Sequence, residues 1–164
     1  MLVVEAEQAV AELRLSHDPM AGRGVPAHVT TLHPFRAEVD AITAGEVASM
    51  AREIDRFEAT FGVAGRFPGE VVFLVPEPVA GFKGMTRSFF AAFPDCPPYG
   101  GAHPDPEPHL TVGSSLRPTI AKSVTNALLP SLLLRTYVDR LTLLVEDDEG
   151  YWTVDLSWPL GDET

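Results

Sequence analysis

Cationic side chains are scarce in this chain: 12 Lys and Arg stand against 23 Asp and Glu, for a formal net charge of −11. A long nucleic acid lying across a surface needs a basic stripe to neutralise its phosphates, so the composition argues against that class of partner. It leaves room for a small phosphate compound held in a pocket by a few local groups. Cysteine is nearly absent. Cys96 is the single one, so no internal disulfide can form, and it has no basic neighbour that would make it a nucleophile. A reducing cytoplasm is the expected compartment. Apolar runs of membrane-spanning length are missing, so no membrane partner is expected. The opening MLVVEAEQAV lacks the basic flank of a secretory leader. No Gly- or Ser-rich linker interrupts the chain. With 164 residues, 45% of them hydrophobic, the expectation is a single bilobal domain over residues 1–164, with monomer as the default.

The pattern that remains is mixed α and β. Residues 1–5 read as a strand, followed by a helix to about Ser16, and residues 28–33 as a short strand. Thr43-x-x-Glu46 has the form of a capping box opening a helix. Val47, Met50, Ile54, Phe57 and Phe61 continue from it at helical spacing. FGVAGRF and EVVFLV flank Pro68-Gly69 as a hairpin. Phe82, Met85, Phe89 and Phe93 mark another helix, and the Pro-rich stretch from Pro94 to Pro108 an extended surface loop. Residues 109–113 read as a strand, and Pro118 fits the first turn of a helix running to about Leu129. Tyr137–Glu146 and Tyr151–Trp158 form a hairpin through DDEG, with Trp152, Val154, Leu156 and Trp158 on one face. The order strand, helix, His strand, helix, strands occurs nearly twice, a weak architectural repeat.

Each half carries the same core: His28-Val29-Thr30 and His109-Leu110-Thr111, 81 positions apart. In an extended chain residues i and i+2 share a face. Each segment therefore presents an imidazole beside a hydroxyl and turns its apolar residue inward. If the halves pack as a pair, the two faces meet across a cleft. Opening a phosphodiester by in-line attack needs a base on one side and an acid on the other, and two histidines supply both near neutral pH. Two threonine hydroxyls can donate to the non-bridging phosphate oxygens, where charge concentrates. With this composition, two such His-x-Thr hits arise by chance in about one sequence in ten, so the spacing alone is a weak signal.

The other polar residues have plainer readings. His33 falls on the face opposite His28, as a packed or rim residue, and His17 ends the first helix at the surface. His103, Asp105, Glu107 and His109 alternate as a metal site might, but the prolines between them and the lack of a second ligand cluster favour a solvated loop. Phe35 could stack on a base, with core packing its plainer use. Arg23, Arg36, Lys83, Arg87 and Arg117 are the cations that could reach a phosphate or ribose, and the sequence does not rank them.

HVTTLHPF and HLTVG resemble the paired His-x-Thr/Ser motifs of the 2H phosphoesterase superfamily, most closely its 2′-5′ RNA ligase and cyclic phosphodiesterase group. The likeness extends to FPGEVVFLVPEP in mid-chain and to LTLLVEDDEGYWTVDLSWPLG near the end. It implies an α+β fold of two pseudo-symmetric lobes, antiparallel sheets with flanking helices around a central cleft that holds both motifs. It further implies a phosphodiesterase using no metal and no other cofactor. His28 and His109 would be the acid/base pair, and Thr30 and Thr111 the phosphate donors. The implied partner is a small cyclic nucleotide, a 2′,3′-cyclic phosphate or a 2′-5′ RNA end. The alternatives are a non-catalytic nucleotide- or phosphate-binding module, and an interaction domain whose His-Thr pairs are ordinary strand residues.

Overall fold

The computed structural model describes residues 1–128 and 133–162. Its elements are α1 (Val4–His17), α2 (Ala41–Arg52), β1 (Phe57–Phe67), β2 (Val71–Glu77), α3 (Val79–Ala92), β3 (Leu110–Gly113), α4 (Pro118–Leu128), β4 (Leu134–Val138), β5 (Arg140–Glu146) and β6 (Trp152–Pro159). Four strands form one antiparallel sheet in the order β3-β2-β1-β4, and β5 and β6 form a second. The class is α+β, as expected. Among the described residues no helix is long and apolar enough to cross a membrane.

The chain starts differently from its sequence reading. Residues 1–5 are not a strand. Val3 N–H donates to the Ala27 carbonyl at 2.8 Å and Val29 N–H to the Met1 carbonyl at 2.9 Å, and the pairing stops at one bridge between Leu2 and His28. The helix already begins at Val4, with Glu5 and Glu7 in its first turn, where they complement the helix dipole. The expected strand over 28–33 is likewise reduced to that bridge, and its remainder bends.

α2 is capped three residues earlier than Thr43-x-x-Glu46 suggests. Asp40 is the N-cap, and its carboxylate accepts the Thr43 N–H at 2.8 Å. The helix ends at Arg52, so Phe57 and Phe61 belong to β1 instead. A spacing of four suits one helical turn and also two strand repeats, which is why the apolar pattern runs on past the helix end.

The β1–β2 hairpin and α3 lie where the sequence places them. Phe82, Met85 and Phe89 are buried along α3, each contributing roughly 1.5–3 kcal/mol. The central strand β2 buries Val72, Phe73 and Leu74 in succession, because both of its faces are covered. The loop from Pro94 to Pro108 is less open than expected, since Cys96, Pro98 and Pro108 are buried. α4 is present, while its expected end near Leu129 lies outside the described residues.

The run 137–146 is not one strand. Tyr137 and Val138 finish β4 beside β1, Asp139 intervenes, and Arg140 opens β5 beside β6. A bulge between Leu143 and Leu144 then breaks the alternation in the second sheet. Val154 is 52% exposed, whereas Trp152 and Trp158 are half-buried.

A charge sits inside this apolar frame. Arg14 follows Ala6 and Val10 on the buried stripe of α1 and is 1% exposed. It donates to the carbonyls of Thr111 at 3.1 Å and Val25 at 3.0 Å, to Glu7 at 3.2 Å and to Asp18 at 3.1 Å. Glu7 also accepts the Ala27 N–H. Asp18 is 5% exposed, and an unpaired buried carboxylate is costly. Arg14→Met is therefore expected to lower the urea-unfolding free energy by about 3–5 kcal/mol. A loss under about 1 kcal/mol would show that these bonds contribute no net stability.

Candidate active site

The two His-x-Thr segments reach one cleft by different routes. The first is an extended segment held against residues 1–3, with Val29 sealed in the core. The second begins just before β3, whose Leu110 and Val112 are buried while Thr111 pairs with Phe73 of β2. His28, Thr30, His109 and Thr111 all line a cleft of roughly 1040 Å³. Its opposite wall is the β5–β6 hairpin, including Leu141, Leu143, Trp152 and Trp158.

Both imidazoles are oriented by the same device. Nδ1 of His28 lies 2.8 Å from the Pro26 carbonyl, and Nδ1 of His109 lies 2.7 Å from the Glu107 carbonyl. A carbonyl only accepts, so each Nδ1 carries a proton and each neutral ring presents an unprotonated Nε2. In the first segment that Nε2 accepts from the Thr30 hydroxyl at 3.1 Å.

Their environments differ in strength. Burial pushes the His28 pKa down to about 4, opposed by the Pro26 hydrogen bond and aided by nearby positive charge, including Arg14 and His109. Burial also holds His109 below its ordinary 6.5, with the Glu107 carbonyl opposing and His103 assisting. The ring of His109 stands edge-on to Phe67 at 4.9 Å and to Phe73 at 5.5 Å between centroids. Phe67 and Phe73 stack at 4.0 Å. A Cβ at Gly65 would fall 2.5 Å from the Phe73 ring, so glycine there leaves room for the aromatic pair that braces His109.

Tyr99 is a cleft residue that the sequence reading missed. It adopts φ 51° and ψ 39° in the turn before Gly100, a left-handed conformation uncommon for a bulky side chain. Its ring is nearly parallel to that of His109, 18° apart with centroids separated by 6.3 Å. Its phenol lies on the side of Thr30, and burial raises its pKa. Tyr99 thus stands beside both motifs. An aromatic among prolines and glycines signals a turn and gives no hint of this placement.

The remaining candidates separate clearly. His33 is exposed and sits on the cleft rim, its ring 6.2 Å from that of Trp152. Phe35 packs edge-on to Phe93 at 5.2 Å while also lining the cleft. His17 ends α1 half-buried, and its carbonyl accepts the Ser114 N–H at 3.0 Å. Asp105 and Glu107 both bind the Lys83 ammonium at 2.8 Å, which favours the loop reading over a metal site. Among the described residues no His, Cys, Asp and Glu group has the arrangement to hold an ion. Of the five candidate cations, Arg36 alone lines the cleft. Its guanidinium is engaged by Asp95 at 3.3 Å and the Thr43 hydroxyl at 3.0 Å. Arg23 donates to the Gly150 carbonyl at 3.2 Å and Arg87 to the Lys83 carbonyl at 3.3 Å. Arg117 is exposed outside the cleft.

A profile of the 2′-5′ RNA ligase superfamily matches residues 2–150. Among solved structures the chain is similar to TT0787 of Thermus thermophilus, at 21% sequence identity and a TM-score of 0.62. That match covers 99% of this chain and 96% of the other, and shows a shared fold. A search of curated proteins finds no match.

The burial of His28 has a measurable consequence. In a ¹⁵N NMR titration its ring is expected to stay neutral, protonated at Nδ1, as the pH falls through 6.5 and to charge only near 4. The unfolded chain takes up that proton at higher pH. This group's contribution to stability is therefore complete above 6.5 and lost on acidification toward 4. An ordinary titration near 6.5 in the folded protein would contradict the buried geometry.

Proposed function

The chain belongs to the 2′-5′ RNA ligase superfamily of 2H phosphoesterases, and on that premise we propose that it is a metal-independent phosphodiesterase acting on 2′,3′-cyclic phosphates or related cyclic nucleotide and 2′-5′ RNA-end substrates. The observation that carries this reading is the matched pair of imidazoles in one cleft, each held through Nδ1 by a carbonyl two residues earlier. Each therefore offers Nε2 for proton transfer.

The difference between the rings suggests how the roles divide for hydrolysis. His28 is the more strongly depressed and stays neutral, which suits the base that takes a proton from the attacking water. His109 is the better candidate to carry a proton to the departing ribose oxygen. The phosphorus–oxygen bond to that oxygen breaks as the new one to water forms. Thr30 and Thr111 donate to the non-bridging oxygens, so Thr30 must turn its hydroxyl from His28 to the phosphate. That turn frees Nε2 of His28 as substrate arrives. Acid, base and charge stabilisation all come from side chains.

His28→Ala and His109→Ala are each expected to lower kcat/KM by about two to four orders of magnitude, on a panel of 2′,3′-cyclic nucleotides, cyclic ADP-ribose derivatives and 2′-5′ dinucleotides. Thr30→Val and Thr111→Val should lose less rate and weaken phosphate binding. Full activity in either folded histidine variant would remove the acid/base assignment and favour a phosphate-binding module. Turnover should also persist in excess chelator, and its loss with rescue by a divalent ion would overturn the metal-independent reading.

The pH profile follows from the two shifts. The rate rises as His28 loses its proton near 4 and falls as His109 loses its own, which happens below 6.5. The optimum of kcat/KM, which reports the free enzyme, is expected on the acid side of 6.5. That lies lower than the ordinary imidazole range would place it. An optimum above neutrality would refute this division of roles.

A further inference from the structure

Apart from the two motifs and the histidines His33 and His103, the cleft carries almost no positive charge. Arg36 is the one Lys or Arg among its lining residues, and Asp95 and Thr43 already engage it. Among the described residues three carboxylates share the lining, those of Asp18, Asp105 and Glu107. Each is tied to a cation: Asp18 to Arg14, the other two to Lys83. None of these cations is left over for a ligand. The β5–β6 wall is neutral wherever it lines the cleft, with Leu143, Leu144, Val145, Trp152 and Trp158 among its residues.

Two consequences follow for whatever occupies this space. A phosphate between the motifs meets two imidazoles and two hydroxyls. A second phosphate elsewhere in the cleft would find neutral donors such as Thr31, Ser114 and Thr142 beside the apolar wall and the carboxylates, on a chain whose net charge is −11, and would lose hydration without gaining a free Lys or Arg to neutralise it. The uncharged part of the ligand, by contrast, has an extensive apolar surface with two indoles. Flat aromatic rings stack on such surfaces regardless of base identity.

Resting on the phosphodiesterase reading above, we propose that the substrate is a nucleoside cyclic phosphate bearing a single phosphate group, with its base against the neutral β5–β6 wall at Trp152, and that a second phosphate group excludes a compound from the cleft. This assigns the protein to mononucleotides and sets it apart from RNA ends and from nucleotides carrying a diphosphate.

The test compares kcat/KM for three compounds on the intact protein: a nucleoside 2′,3′-cyclic phosphate, the same compound with a 5′-phosphate, and ethylene glycol cyclic phosphate, which has no ring system. The 5′-phosphate is expected to lower kcat/KM at least tenfold, less so at high salt, and the absence of a base to lower it at least tenfold. Trp152→Ala should bring the nucleoside compound toward the ringless one. Val145→Lys, placing a cation on the neutral wall, should recover several-fold of the activity lost to the 5′-phosphate. Equal turnover of the 5′-phosphorylated compound would overturn the charge selection, and equal turnover of the ringless ester would overturn the base-binding wall.

Calorimetry with a nucleoside 2′-monophosphate and the matching 2′,5′-bisphosphate keeps the two readings apart. At least tenfold weaker binding of the bisphosphate, with no turnover of any cyclic compound, would sink the phosphodiesterase reading and uphold the charge selection. Equal binding would overturn the charge selection whatever the turnover.

Discussion

The cleft depends on one buried guanidinium. Arg14 holds the carbonyl of Thr111, inside the second motif, and the carbonyl of Val25, three residues before His28. Its partner Glu7 adds the Ala27 N–H. Two segments far apart in sequence are thus fixed to a single side chain on α1. The planar fork of arginine suits this task, since it offers five donors in fixed directions where lysine offers a mobile point charge. Burying the charge is costly, and Asp18 and Glu7 compensate it. What the arrangement secures is the relative placement of two reactive groups, for which small displacements matter greatly.

Around that anchor the two imidazoles are set alike and tuned apart. The carbonyls of Pro26 and Glu107 give both rings the same tautomer. Depth and neighbours then separate them. His28 is driven down to about 4 by burial, while His109 lies against Phe67 and Phe73 and under Tyr99. One residue type in two surroundings can perform opposite halves of a proton transfer. The halves of the chain resemble each other in element order and differ in detail. The second motif sits at a true strand, the first at a single bridge.

Much of this was legible in the sequence where local chemistry was strong. The turn at Pro68-Gly69, the apolar stripe of α3 and Pro118 at the start of α4 each point to one structure. Boundaries failed where one pattern served two structures, as with Phe57 and Phe61 on β1. The division at Asp139 has no Gly or Pro to announce it, and only pairing with distant strands makes it. Arg14 did carry a signal, a charge at the next helical position after Ala6 and Val10, which reads as an oddity until its partners are known. The cations were visible as residues, but which were already occupied depends on contacts such as Lys83 with Asp105. The left-handed Tyr99 and its place beside both motifs are a product of the folded loop alone.

The division at Asp139 also governs where the wall of the cleft can stand. β4 belongs to the sheet that carries the second motif, and β5 to the wall facing it, with one residue between them. One residue spans only about 3.8 Å between neighbouring Cα atoms, so the two sheets cannot slide apart at this corner. The Leu160 N–H, just beyond β6, bonds the Asp139 carbonyl at 2.7 Å and pins the far strand to the same point. The turn at the other end of the hairpin is tied as well, since Arg23 donates to the Gly150 carbonyl at 3.2 Å, so the wall facing the motifs is held at its root and at its tip.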